Sequence, residues 1–407
     1  MIVFDPACLA VEEPPRQESR RPDRPSRPPR RPAAARVAGG DPPPVTVTQP
    51  FLPPLDEFLP YLAEIWENRV LTNDGPFHQR LTRELAAHLE VDQLSLFNNA
   101  TIALTTALQS LHLTGEVVTT PFSFVATAHA ILHSGLTPVF ADIDPGTLNL
   151  DPERIEAAIT PRTTAILGVH CYGTPCDVDA IADIARRRNL RVVYDAAHAF
   201  GVTYRGRSLL QAGDLAVVSF HATKVFNTFE GGAIISHDPA TKAAIDRFRN
   251  FGIVDQTTVE AAGTNGKMNE VQAAFGLLQL RYIAGALARR RAIDAAYRAA
   301  LADCPWVRCL DPLPGQVPNG SYFPVFIDPR HPLTRDALFH RLARHGIQAR
   351  RYFHPLITAF PMYAHLPSAD PARLPVATRA AEQVLCLPIY PDLPPGTVER
   401  VVDLLHP

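Results

Sequence analysis

Apolar residues at Leu55, Phe58, Leu59, Leu62, Ile65 and Trp66 recur three and four positions apart, which predicts an amphipathic helix over 55–68. The turn residues Asn73-Asp74-Gly75-Pro76 follow, and a second helix is predicted over roughly 75–89. The pattern then changes. Short apolar runs of strand length at 94–97, 117–119, 138–140, 165–169 and 192–194 alternate with helical spacing at 101–113, 124–134, 153–159 and 178–188. Such alternation predicts an α/β fold, a mostly parallel sheet with helices on both faces. Two further runs, 215–218 and 233–235, flank an irregular stretch from Ser219 to Gly232. A long Ala- and Arg-rich helix follows residues 276–280 and runs to about Leu301. The last hundred residues fall into shorter segments at 322–327, 336–345, 347–352 and 398–405, separated by Pro-rich turns, and this predicts a smaller α+β domain. The expected division is a leader over 1–44, a large α/β domain over 45–280 and a small C-terminal domain over 281–407.

Composition sets the leader apart. Residues 1–44 hold eleven of the forty prolines and eight arginines. A segment of this kind buries too little apolar surface to offset the entropy of ordering, so disorder or polyproline-like structure is expected. The net charge of -2 gives no general attraction to nucleic acid or anionic membrane. No uninterrupted apolar run approaches the ~20 residues of a membrane helix, and the N-terminus lacks the basic and apolar regions of a signal peptide. Six cysteines are too few for a disulfide scaffold in 407 residues. Their pairs Cys171/Cys176 and Cys304/Cys309 lack C-x-x-C spacing, so no metal site and reduced thiols in the cytoplasm are expected.

Charge usage draws attention to one residue. Only Lys224, Lys242 and Lys267 are lysines, and the other 36 of the 39 basic residues are arginines. A lysine on the irregular stretch between two core strands stands where a scaffold can present a reactive group. There, burial lowers the pKa and frees the amine to condense with an aldehyde. An ordinary surface lysine is the plain alternative.

Ligands of parallel sheets bind at the carboxyl ends of the strands, and three strand ends carry the parts of a pyridoxal phosphate site. Asn98-Asn99-Ala100-Thr101 opens a helix, whose free amides and Thr101 hydroxyl offer a phosphate seat, although Asn and Thr are also ordinary caps. Asp195 closes the strand 192–194 and suits a pyridinium partner; strand-end aspartates also cap helices or bind Mg²⁺. Lys224 comes third, with Ser219 near enough to touch a phosphate. Phe124 is placed to stack on the ring face or to pack in the core. His198 suits a hydrogen bond near the ring hydroxyl, or a buried structural role.

At these residues the chain resembles the DegT/DnrJ/EryC1/StrS family of sugar aminotransferases, over roughly 45–407. The stretches 73–78 (Asn-Asp-Gly-Pro-Phe-His), 169–173 (Val-His-Cys-Tyr-Gly) and the whole of 219–232 carry the likeness. The resemblance implies the fold-type I pyridoxal phosphate architecture. It implies Lys224 as the Schiff-base lysine, Asp195 as the pyridinium partner, and Thr101, Ser219 and the Ala100 amide at the phosphate. It further implies a homodimer in which Asn265 reaches the phosphate of the neighbouring subunit, with Tyr352 and His354 near the sugar nucleotide. The activity implied is transfer of the amino group of L-glutamate to C4 of a dTDP-linked 4-keto-6-deoxy sugar. Amination of a 3-keto sugar nucleotide is the rival within the family, and a pyridoxal phosphate-binding regulator the rival outside it. One departure stands out, because Ala100 occupies the position where the family has glycine before its phosphate-binding threonine.

Overall fold

The computed structural model describes residues 44–407, so the predicted disordered leader lies outside the described residues except for Pro44. Seven strands form the main sheet: β1 (Gln93–Phe97), β2 (Glu116–Thr119), β3 (Thr137–Phe140), β4 (Thr163–Val169), β5 (Arg191–Asp195), β6 (Leu215–Ser219) and β7 (Gly232–Ser236). Their spatial order is β1-β7-β6-β5-β4-β2-β3. Pairing is parallel from β6 through β5, β4 and β2 to β3, while β7 runs antiparallel to both β6 and β1. The mostly parallel α/β sheet expected from the alternation is present, with one reversed strand.

The continuous apolar runs have a simple cause. Helices cover both faces, so both sets of alternating side chains are buried. Val193, Leu215, Val217 and Ile234 face α3 (Ala100–Ser110), α4 (Ala126–His133) and α7 (Pro239–Arg249). Tyr194, Ala216, Val218, Ala233 and Ile235 face the other way. They pack with α1 (Leu55–Asn68), α2 (Pro76–Leu89), α6 (Val178–Arg188) and α8 (Glu270–Leu301). A short α5 (Pro152–Ala158) completes the crossovers.

Helix α8 starts earlier than its apolar pattern suggests. Asn269 and Gln272 form a reciprocal capping box, which satisfies two first-turn amides and fixes the start at Glu270. Helix α7 carries too little apolar periodicity to be read from sequence, yet Asp238 caps it through the Thr241 amide. Among the described residues α8 alone is long and apolar enough by composition to cross a bilayer. Here it is a core helix: Ala273 to Leu287 pack under the main sheet, while Tyr297 and Leu301 pack with the C-terminal elements.

Those elements are β8 (Val307–Cys309), β9 (Phe323–Ile327) and β10 (Val384–Leu387), an antiparallel sheet in the order β8-β9-β10. Helices α9 (Arg335–Arg344), α10 (Pro375–Gln383) and α11 (Thr397–Leu405) accompany it. In the segment over 347–352 only Ile347–Gln348 is a strand, paired with Val45–Thr46. Arg350 still exchanges two main-chain bonds with Cys386, at 3.1 and 2.7 Å, but the chain then turns, and Tyr352 and Phe353 line a cavity instead of a ladder.

Candidate active site

A cavity of about 260 Å³ opens at the carboxyl ends of the strands. Strand β5 delivers Asp195 to it, β6 delivers Ser219, and β1 leads through Asn98 and Asn99 into α3. These units are not all neighbours, as their order along the chain suggests: β7 stands between β6 and β1. Its first residue, Gly232, pairs with Phe97 on one side and Ser219 on the other. A Cβ there would lie 2.9 Å from the Cα and N of Ala100. Glycine is what lets the first turn of α3 press against the sheet edge beside the lysine loop.

That loop, 220–231, leaves β6 and returns as β7. Two main-chain bonds of 2.9 Å close it, Phe220 N–H to Gly231 O and Thr228 N–H to Phe220 O. Phe226 anchors it from within, stacked on Phe200 at 4.7 Å and edge-on to Phe220 at 5.0 Å. A turn bonds the Lys224 amide to His221 O at 2.9 Å and sends the side chain into the cavity. Burial pushes the Lys224 amine down to about 8, against the opposing pull of the Asp195 carboxylate.

Asp195 is buried, with both oxygens engaged. Thr127 Oγ1 donates to Oδ2 at 2.7 Å and the Ala197 amide to Oδ1 at 3.1 Å. Burial raises its pKa, while these two donors and the Lys224 charge lower it. His198 is also buried, and burial holds its pKa well below the usual imidazole range. Its Nδ1 accepts the Tyr172 amide at 3.1 Å, so the neutral ring carries its proton on Nε2. The ring lies parallel to Phe353 at 6.2 Å.

At the opposite end Asn99 caps α3, its side chain accepting from the Ile102 amide at 2.9 Å. Ala100 and Thr101 occupy the first two helical positions, whose amides have no intrahelical acceptor. The Ala100 departure is thereby accommodated, because a helical N1 position needs no positive φ. Phe124 lines the same cavity and is 61% exposed.

Of the residues singled out from sequence, Lys224, Asp195, His198, Ala100, Thr101, Phe124, Ser219 and Tyr352 line this one cavity. Asn265 and His354 do not, and both are exposed. The Asn265 carbonyl accepts from Asn98 Nδ2 at 3.1 Å, which fixes its backbone beside the α3 entrance. Sequence reasoning missed Tyr322, Phe353, Ser123, His221, Thr223 and Glu230 as lining residues. His221, Thr223 and Glu230 lie within the stretch 219–232 already singled out, and Ser123 adjoins Phe124. Tyr322, at the threshold of β9, carries no local signal.

A partly buried lysine, a buried carboxylate and a helix N-terminus gathered at the strand ends of such a sheet define an α/β aminotransferase scaffold. Residues 55–406 match the DegT/DnrJ/EryC1/StrS aminotransferase family, and the chain belongs to it. A dTDP-4-amino-4,6-dideoxy-D-glucose transaminase of Shigella dysenteriae is 52% identical over 363 residues, covering 89% of this chain and 98% of that one. A transaminase of the same description from Escherichia coli is 52% identical over 366 residues, with the same coverage of 89% and 98%. The crystal structure of DesI in the presence of its TDP-sugar product aligns with a TM-score of 0.85 and 38% identity, over 89% of this chain and 92% of that one.

Proposed function

We propose that this chain is a pyridoxal phosphate-dependent aminotransferase that moves the amino group of L-glutamate to C4 of dTDP-4-keto-6-deoxyglucose, giving dTDP-4-amino-4,6-dideoxyglucose. The observation that carries the chemistry is the Lys224 amine, partly buried and lowered to about 8, in one cavity with Asp195 and the start of α3. The choice of sugar is supported by the 52% identity to transaminases of that description.

The residues present fit the cofactor. Gly232 clears the space that α3 needs, the amides of Ala100 and Thr101 and the Ser219 hydroxyl suit a phosphate, and Asp195 suits a protonated ring nitrogen. When bound, pyridoxal phosphate supplies an electron sink for the charge that develops at the amino donor's Cα. Lys224 is the general base and acid, removing the donor's Cα proton and delivering one to the sugar's C4 in the reverse direction. An amine with a pKa near 8 can do both near neutrality. Neutral His198, with its proton on Nε2, would offer a donor to the bound cofactor, and Phe124 would give it an aromatic wall. Tyr352 lines the sugar side, with His354 two residues further on.

We read the enzyme as a cytoplasmic homodimer. Asn265 lies outside its own chain's cavity, which suits a role at the phosphate end of the partner's site. Phe251, Ile253, Val254 and Val259 on the same segment are 40 to 65% exposed, an apolar surface suited to a second copy. Residues 45–280 then form the cofactor-binding part and 281–407 the smaller part that closes over the sugar.

The test is an assay of the purified protein with pyridoxal phosphate, L-glutamate and dTDP-4-keto-6-deoxyglucose, following 2-oxoglutarate, with Lys224→Ala beside it. Turnover that disappears in the variant, with the product's nitrogen on C4 by NMR, is expected. Turnover of only the 3-keto isomer would overturn the assignment of the sugar carbon.

A further inference from the structure

Behind Asp195 the site continues into two hydroxyls that the proposed chemistry does not use. Thr127 lies in the first turn of α4, is fully buried, and donates through Oγ1 to Asp195 Oδ2 at 2.7 Å. Ser123 Oγ lies 2.8 Å from that same Thr127 Oγ1, and Ser123 lines the cavity. The helix does not explain them as caps, because among the described residues neither hydroxyl bonds a main-chain group.

The direction of the bonds follows from proton counting. An ionised carboxylate only accepts, so the single Thr127 proton is committed to Asp195. Thr127 can then serve Ser123 only as an acceptor, which forces the order Ser123 to Thr127 to Asp195. A protonated Asp195 would permit the reverse order, with the Ser123 proton released toward the cavity. Each order belongs to one charge state of the aspartate. In the ionised order Asp195 has two donors, one from Thr127 and one from the Ala197 amide, against the burial that disfavours its charge.

We propose that Thr127, backed by Ser123, is a positioning residue that keeps Asp195 ionised and turned toward the cavity. It thereby sets how firmly the aspartate holds a proton on the cofactor's ring nitrogen, an inference that rests on the reading of Asp195 above. Valine has threonine's shape without its hydroxyl, and it would leave Oδ2 without its donor in a buried place. Serine would keep the donor.

The experiment uses the holoenzymes of the parent, Thr127→Val, Thr127→Ser, Ser123→Ala and Asp195→Asn. Two quantities are read: the pH titration of the bound cofactor's visible absorbance, and the single-turnover rate with L-glutamate alone. Thr127→Val is expected to move the absorbance midpoint by about one pH unit and slow the half-reaction on the order of tenfold, the worth of one hydrogen bond to a charge. Thr127→Ser is expected to return both to within about threefold of the parent, and Ser123→Ala to shift both in the same direction by less. A parent-like titration and rate in Thr127→Val and Ser123→Ala, beside a crippled Asp195→Asn, would overturn the relay and leave the role of Asp195 standing. If Asp195→Asn itself matches the parent, the reading of Asp195 falls and the relay with it. Should Thr127→Val fail to fold, Ser123→Ala and Thr127→Ser still decide the matter through the same titration.

Discussion

The Lys224 amine lies 5.8 Å from the centroid of the Tyr322 ring, so the 220–231 loop of the main sheet meets the residue just before β9 of the C-terminal sheet. Tyr322 in turn packs edge-on against His198 at 4.9 Å. The amine is thus enclosed by groups from both sheets, and enclosure is what weakens its hold on a proton. Its pKa falls from 10.5 to about 8 through burial. Between these values the unfolded chain holds a proton that the folded chain lacks, so stability rises with pH through that window. Below about pH 8 the cost of burying the charge is present in full, of order 3 kcal/mol. Lys224→Met is therefore expected to stabilise the cofactor-free protein by about 2 kcal/mol at pH 7, with the gain shrinking towards pH 10.5. Urea unfolding at pH 7 and pH 9.5 checks this. A variant no more stable than the parent at pH 7 would show that burial is not what lowers the lysine.

The turn that brings Tyr322 there is pinned from two sides. Arg290, on α8, is almost fully buried, and its Nη1 donates to the carbonyls of Gly320 at 3.1 Å and Ile389 at 3.0 Å. Asn319 donates to the carbonyls of His198 at 2.8 Å and Phe200 at 2.9 Å. Gly320 has φ +62°, and a Cβ there would meet the Arg290 Cβ at 2.9 Å, so helix and turn approach as closely as they can. Arg290→Ala is expected to cost about 3 kcal/mol, since it opens a cavity and leaves two buried carbonyls without a donor. Arg290→Met fills the space and is expected to cost less, about 1–2 kcal/mol. Equal losses in denaturant unfolding would show that the hydrogen bonds, not the volume, hold the turn; no loss in either would remove Arg290 from this role.

The chain of βα units was legible because each buried strand must be apolar on both faces, and Asp195, Ser219 and Ala100 could be placed at strand ends for the same reason. The position of β7 was not. Nothing between 219 and 236 distinguishes a strand that returns antiparallel from one that crosses over, and only the register of Gly232 against Phe97 and Ser219 reveals it. Helix α7 escaped because its exposed face is polar and only Ile245 and Arg249 are buried. Phe353 stood between two residues that the resemblance had singled out, Tyr352 and His354, but Tyr322 escaped for another reason. It comes from far along the chain, and long-range packing leaves no spacing in the sequence. The cap of α8 lay in plain view as Asn269 and Gln272, but an apolar pattern starting later drew the boundary inward.

Glu270 supports a further expectation about the same corner. Its carboxylate is fully buried and accepts the amides of Phe77 and His78 at 2.9 Å each, so it caps α2 while standing in the first turn of α8. Two helix N-termini share one negative group, a favourable arrangement for both dipoles. Glu270→Gln keeps the shape but offers one oxygen where two amides need acceptors, and it turns an NH₂ toward an N–H. A loss of about 2 kcal/mol is expected, read by chemical denaturation. Parent-like stability would mean that the carboxylate's charge and second oxygen contribute nothing to the joint.

Asn265 gives the sharpest test of the assembly. Its side chain is exposed and away from its own cavity, while its carbonyl is tied to Asn98 at the mouth of α3. On the reading proposed above, its side chain would serve the cavity of a second copy. Asn265→Ala is expected to lower activity at least about tenfold by loosening the cofactor's phosphate. Lys224→Ala is expected to be inactive. When the two variants are mixed, dissociated and reassociated, half of the dimers pair one of each. In such a hybrid both defects fall on one of the two sites, and the other site is built from an intact Lys224 and an intact Asn265. Recovery of about a quarter of the parent's activity is therefore expected from the mixture. If Asn265 acted within its own chain, every site would carry one lesion whatever its partner, and mixing would restore nothing. Activity that stays at the level of the separate variants, with dimers re-formed by sedimentation, would place Asn265 in its own subunit's service and remove the shared site.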